Sequence, residues 1–176
     1  FNGGSRNTAL GSLALYYNRN PGLSASYPSD NTALGYAALY NNTTGIYNTA
    51  IGSNALYSNT TGDNNTAIGW KALYSNTTGD NNIAFGLQAL ANNTSGTTNT
   101  AIGLNSLLSN NIGNANTAIG FQALLSNSTG INNVATGYEA LKYNNSGSAN
   151  NAYGHGALYQ CGGTGNGGYG EEANPT

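Results

Sequence analysis

The sequence predicts an all-β fold, a parallel β-roll or β-helix solenoid built from 17-residue coils. Three observations carry that prediction. The segment NTALGYAAL from Asn31 recurs from Asn48, Asn65, Asn82, Asn99, Asn116, Asn133 and Asn150, with the same 17-residue step each time. A unit of that length is too short for a helix pair, which generally needs more than about 30 residues, but suffices for one β coil. Within each unit, a short extended-compatible TAIG stretch is followed by a cluster of turn formers such as SNTTGDN.

The repeat is the organising feature. An earlier copy, NTALGSLAL from Asn7, precedes Asn31 by one period plus a seven-residue insertion, so nine copies are present. The array is therefore placed at residues 1–160, with an irregular insertion at 16–30, and the Gly-rich stretch 161–176 reads as a tail or linker. A unit with so few apolar groups cannot bury a core alone and must stack on its neighbours. Equivalent residues of successive coils then lie about 4.8 Å apart, so nine coils span about 40 Å.

Counting each copy from its first Asn, position 1 is always Asn, 3 Ala, 5 Gly and 9 Leu in the eight regular copies. Position 8 is small, and position 4 is large and mostly apolar, from Leu34 and Ile51 to Tyr153. These columns predict a core at positions 3, 4, 8 and 9. The TAIG stretch predicts one strand per coil. The Ala-Leu stretch after it is compatible with a second strand or a single helical turn, and a second strand is favoured. Gly at position 15 suits a positive φ in the turn.

Asn at position 1 (Asn31, Asn48, Asn65, Asn82, Asn99, Asn116, Asn133, Asn150) either forms a ladder of stacked side-chain amides or bonds its own backbone in a turn. In the turn column, Asn42, Asn59, Asn76, Asn93, Asn127 and Asn144 each open an N-x-S/T triplet. In a secretory pathway these would carry a row of glycans, although Asn-Thr-Thr-Gly is also good turn chemistry.

Two bulky columns exceed what one thin roll can bury. Position 6 carries Tyr36, Trp70, Leu87, Leu104, Phe121 and Tyr138; position 10 carries Tyr40, Tyr57, Tyr74, Leu108, Leu125 and Tyr159. One of the two stripes is expected to meet a partner, a symmetric oligomer being the economical one, unless both cap the core at its corners. Position 7 (Asn54, Lys71, Gln88, Asn105, Gln122, Glu139) is polar and is expected to face water.

At these residues the chain resembles a family. The NTAIGxxAL unit is similar to the head repeats of trimeric autotransporter adhesins, and more so to NTAIGxxALxSNTTG arrays of bacterial and viral tail-fibre-like surface proteins. The resemblance covers Asn7 to about Tyr159. It implies a β-roll whose chains associate side by side as a homotrimer on a cell or virion surface. The reading that follows is a structural or adhesive fibre segment, with a host-cell glycan or surface receptor as a further partner; the sequence does not fix whether units join end to end into a filament.

Composition narrows the classes of function. Four Lys+Arg and six Asp+Glu give a net charge of −2, which offers nothing for nucleic acid or an anionic membrane to grip. No apolar run approaches the roughly 18 residues that span a bilayer, so no membrane insertion is expected. The chain opens on Phe1 and lacks Met, as a processed product or an excerpt of a longer protein would.

No catalytic set, cofactor site or metal site is expected. The single His155 occupies varying position 6, without a nucleophile or metal-ligand partner at a recognised spacing. Asp63 and Asp80 sit at equivalent turn positions and read as solvated turn residues rather than Ca2+ ligands. Glu171 and Glu172 read as solvated charge in the tail. The lone Cys161 cannot close an intramolecular disulfide; it falls in the turn Asn column, where a buried or free thiol is favoured over an interchain bond.

An ice-binding solenoid is the alternative function, because flat Thr- and Asn-rich coils with little charge are able to order water. Against it, the Thr pairs Thr43-Thr44, Thr60-Thr61 and Thr77-Thr78 lie in turns and are lost at Asn111-Ile112.

Overall fold

The computed structural model describes residues 6–18, 29–161 and 163–170. Ten three-residue strands form one parallel sheet in chain order: β1 (Thr8–Leu10), β2 (Thr32–Leu34), β3 (Thr49–Ile51), β4 (Thr66–Ile68), β5 (Ile83–Phe85), β6 (Thr100–Ile102), β7 (Thr117–Ile119), β8 (Val134–Thr136), β9 (Asn151–Tyr153) and β10 (Gly167–Tyr169). Pairing is in register with the repeat, Thr32 opposite Thr49 and Ala33 opposite Ala50, so the columns of the sequence are columns in space. A parallel β-solenoid follows directly, with one coil per repeat. Of the insertion, residues 19–28 lie outside the described set, as do Glu171 and Glu172.

A strand points alternate side chains to opposite faces. In each TAI unit the central Ala therefore turns inward while Thr and Ile turn outward. From Ala33 to Ala152 the alanines of position 3 are 0 % exposed, and the small side chains of position 8 and leucines of position 9 join them in one continuous core. Position 4 does not belong to that core: Leu34, Phe85, Ile102, Ile119 and Tyr153 are exposed. The expectation of a position 4 core is corrected by the two-residue period of the strand.

Among the described residues the second strand is absent. Positions 7 and 9 adopt left-handed backbone in coil after coil, as at Lys71 (φ 54) and Leu73 (φ 51), which is incompatible with an extended run. A left-handed Leu costs about 1–2 kcal/mol, and complete burial of its side chain returns about 1.5–3 kcal/mol. The coils remain bonded there: Leu39 N–H donates to Ala55 C=O at 3.0 Å and Asn41 N–H to Tyr57 C=O at 3.1 Å, each one coil on. The inter-coil ladder thus continues well beyond the strands.

The positive φ expected at Gly position 15 belongs instead to position 5, where Gly52 has φ 132 and Gly69 φ 133. A Cβ on Gly52 would stand 2.5 Å from Gly69 C=O of the next coil, so position 5 also marks a close approach of backbones. At position 15 a Cβ on Gly62 would meet Gly79 C=O at 2.5 Å and Asn59 Oδ1 at 2.6 Å; space, not φ, selects glycine there.

The Gly-rich end was expected as a tail, yet its described part carries one more rung. Asn166-Gly-Gly-Tyr-Gly reproduces positions 1 to 5, β10 pairs with β9, and Asn166 N–H donates to Asn150 Oδ1 at 2.9 Å. The signal was legible, but the 16-residue step and the missing Ala-Leu hid it.

Candidate interaction faces and the asparagine ladders

Two rows of asparagine amides run through the interior. At position 1, Asn48 N–H donates to Asn31 Oδ1 at 2.9 Å, and the Asn48 Nδ2 donates to Gly62 C=O of its own coil at 2.8 Å. The pattern repeats at Asn65, Asn82, Asn99, Asn116 and Asn133, and from Asn82 to Asn133 a direct amide–amide contact is added, as from Asn99 Nδ2 to Asn82 Oδ1 at 3.2 Å. The side chain therefore combines both expected roles, ladder and turn.

The second row is the turn column. Asn59 Nδ2 donates to Asn42 Oδ1 and to Gly62 C=O, both at 2.9 Å, and Asn76 Nδ2 repeats this with Asn59 and Gly79. Asn42, Asn59, Asn76, Asn93, Asn127 and Asn144 are all 0 % exposed. This corrects the glycan row: the nitrogen a glycan would occupy is buried and donates two hydrogen bonds. Among the described residues fifteen asparagines and Ser106 are buried, and the periodicity gives the amides their partners, which is the condition for burying them. Cys161 takes the same column in the ninth coil, buried and free, its Sγ accepting from Asn166 Nδ2 at 3.1 Å.

Position 16 forms a third, smaller row. Asp63 Oδ1 accepts Ile46 N–H at 2.8 Å and Asp80 Oδ1 accepts Asp63 N–H at 2.7 Å, so both carboxylates are occupied by backbone of the preceding coil. Asn114 and Ser148 do the same for Thr97 and Ile131. Among the described residues no group of three His, Cys, Asp or Glu side chains assembles.

Outside, the bulky columns separate. At position 10, Tyr16, Tyr40, Tyr57 and Tyr74 stack face to face, with centroids 5.0 to 5.3 Å apart, and each of the last three is half-buried. Burial among its neighbours and a hydrogen bond with Tyr17 raise the Tyr40 hydroxyl above its ordinary pKa. Position 6 stays open: Tyr36 is 54 % exposed, Trp70 42 %, Leu87 44 % and Tyr138 49 %, with Leu104 exposed as well and Phe121 half-buried. Phe121, Tyr138 and His155 continue that column as a stack 5.0 and 5.1 Å apart, which gives His155 a packing role. Position 4 adds a further exposed apolar column.

Position 7 is half-buried rather than fully solvated. Lys71 Nζ lies 4.6 Å from the Trp70 ring centroid and 5.2 Å from that of Tyr74, tying columns 6 and 10 together. Lys142 does similar work near Tyr143 and Tyr159, and its bond to Glu139 at 2.8 Å raises its pKa.

The threonines divide into two sets. In the turns, Thr43, Thr60 and Thr77 Oγ1 donate to the backbone carbonyl one coil on, at 2.8 to 2.9 Å. On the strands, the hydroxyls of Thr32, Thr49, Thr66, Thr100 and Thr117 bond to no other described residue and point to the outer face. Among the described residues no helix is long and apolar enough to cross a membrane. A scan against protein-family models found no match, and searches of curated proteins and of solved structures likewise returned none.

Proposed function

We propose that this chain is a structural and adhesive segment of an extracellular fibre, a rigid spacer whose coils associate laterally with copies of itself as a homotrimer. The observation that carries this is the position 6 column. Trp70, Leu87 and Leu104 remain exposed in three successive coils, and Tyr138 is exposed beyond the half-buried Phe121, while the position 10 rings are half-covered by their own stack. A contiguous apolar stripe of that kind on a protein with ten charged residues marks a self-association surface. The seven regular inter-coil interfaces from β2 to β9 support the stiffness that a spacer needs.

Adhesion to a surface glycan or receptor, end-to-end continuation and a place on a cell or virion surface belong to the same proposal. It assigns the chain no catalytic role. Light scattering on the purified chain tests it. A mass three times that of the monomer is expected, and Trp70→Asp should lower the mass while leaving the circular dichroism spectrum intact. A monomer mass at high protein concentration would remove lateral assembly.

A further inference from the structure

We infer that the outer face of the ten-stranded sheet is an ice-binding surface, made by the position 2 hydroxyls and the position 4 apolar side chains rather than by the turn threonines. The turn hydroxyls of Thr43, Thr60 and Thr77 are spent internally, on the carbonyls of the next coil. Those of the strands are not. Thr32, Thr49 and Thr66 form one uninterrupted run on adjacent strands, and Thr100 and Thr117 a second.

Regularity is the second support. From β1 to β8 position 2 is always β-branched, Ile83 and Val134 replacing Thr where the run is broken. Such side chains are held to few χ1 rotamers, so the methyl groups keep a fixed array at the strand spacing of about 4.8 Å. Backbone pairing on both sides of every inner strand fixes the rungs to that repeat.

Charge is the third. On all ten rungs positions 2 and 4 carry no Asp, Glu, Lys or Arg. A charged side chain would impose its own hydration shell and disorder the water lattice around it. On the rungs of Thr32, Thr49, Thr66, Thr100 and Thr117 each methyl stands beside a hydroxyl, so that water closes around the methyl and anchors to the hydroxyl in the same way on each of them. Ordered water is thus the occupant for which these threonine runs are built; they offer a peptide or sugar partner no charged group to grip.

This inference is independent of lateral assembly through position 6, and both are read on one set of samples. Thermal hysteresis of the full 176-residue chain is measured by osmometry, alongside its mass by light scattering. The chain should arrest ice growth in a concentration-dependent way. Thr66→Lys, at the end of the first run, should cut the hysteresis at least twofold, and Thr100→Lys gives a second readout should the first variant fold poorly. Thr61→Lys, at an exposed turn position, should leave it unchanged. Hysteresis equal to that of buffer, or an equal loss in the turn variant, would overturn the inference. If instead Thr66→Lys lowers the mass of a chain without hysteresis, the face is occupied by a second copy and the inference is likewise overturned. Trp70→Asp reports separately on lateral assembly.

Discussion

The turn edge and the strand face of each coil invert the usual order of a protein. At the turn edge, Asn59 and Asn76 are wholly buried, while on the strand face Leu34, Phe85 and Ile119 are exposed. Hydropathy alone would have exchanged them. The inversion follows from two periods acting at once. The strand's two-residue alternation leaves one inward position, filled by Ala, and sends both neighbours out. The 17-residue period then brings each Asn over its equivalent, so that one amide's nitrogen meets the other's oxygen at 2.9 Å. A neutral group able both to donate and to accept can be buried indefinitely in such a row.

The sharpest way to break the comparison is to place an apolar side chain in the amide row. Asn76→Leu removes the donor to Asn59 Oδ1 and Gly79 C=O, and the acceptor for Asn93 Nδ2. Asn59 Oδ1 is left unpaired and Asn93 Nδ2 keeps only its bond to Gly96 C=O, while Gly79 C=O keeps Asn65 Nδ2, so a loss of about 2–4 kcal/mol is expected. Because coils contact only their neighbours, denaturant unfolding should also split into two phases. A loss below about 1 kcal/mol would show that the row contributes little.

The converse change should cost far less. Ile119→Asn puts an amide on the exposed outer face, where no interior partner is disturbed, and is expected to shift stability by no more than about 0.5 kcal/mol. Denaturation that costs as much as Asn76→Leu would mean that position 4 is packed in solution, as it would be inside an oligomer.

The smallest effect concerns pH. The interior amides do not titrate, and the shifted groups are on the surface. Tyr40 and Tyr159 hydroxyls and the Lys142 ammonium have raised pKa values, so their contribution is held below the ordinary values near 10 and lost as pH rises through the raised ones. The Asp30 carboxyl, hydrogen-bonded by Arg6, has a lowered value; its contribution is held above about 4 and lost as pH falls through it. Melting temperature should therefore be flat from about pH 5 to 9 and decline modestly outside that window. A midpoint of change near neutrality would contradict this.

The coil length, the strand and three of the four core columns were legible in the sequence because repetition exposes what each coil cannot vary. Position 4 misled because Ile and Leu are usually buried, and only the strand's alternation sends Ile51 and Ile68 outward. The second strand misled because nothing in Lys71 or Leu73 announces a left-handed backbone. Asn59 left two readings open. Its Asn-Thr-Thr triplet is shared by glycan acceptors and turns, and the direction of its side chain depends on the equivalent Asn one coil away.

The central claim, that polar amides form the inside of this solenoid, is tested most directly by hydrogen exchange of the Asn side-chain NH2 groups followed by NMR. Protected signals are expected for the position 1 and position 12 asparagines, against immediate exchange at exposed Asn64, Asn81 and Asn132. Uniformly fast exchange of all asparagine amides would contradict the account.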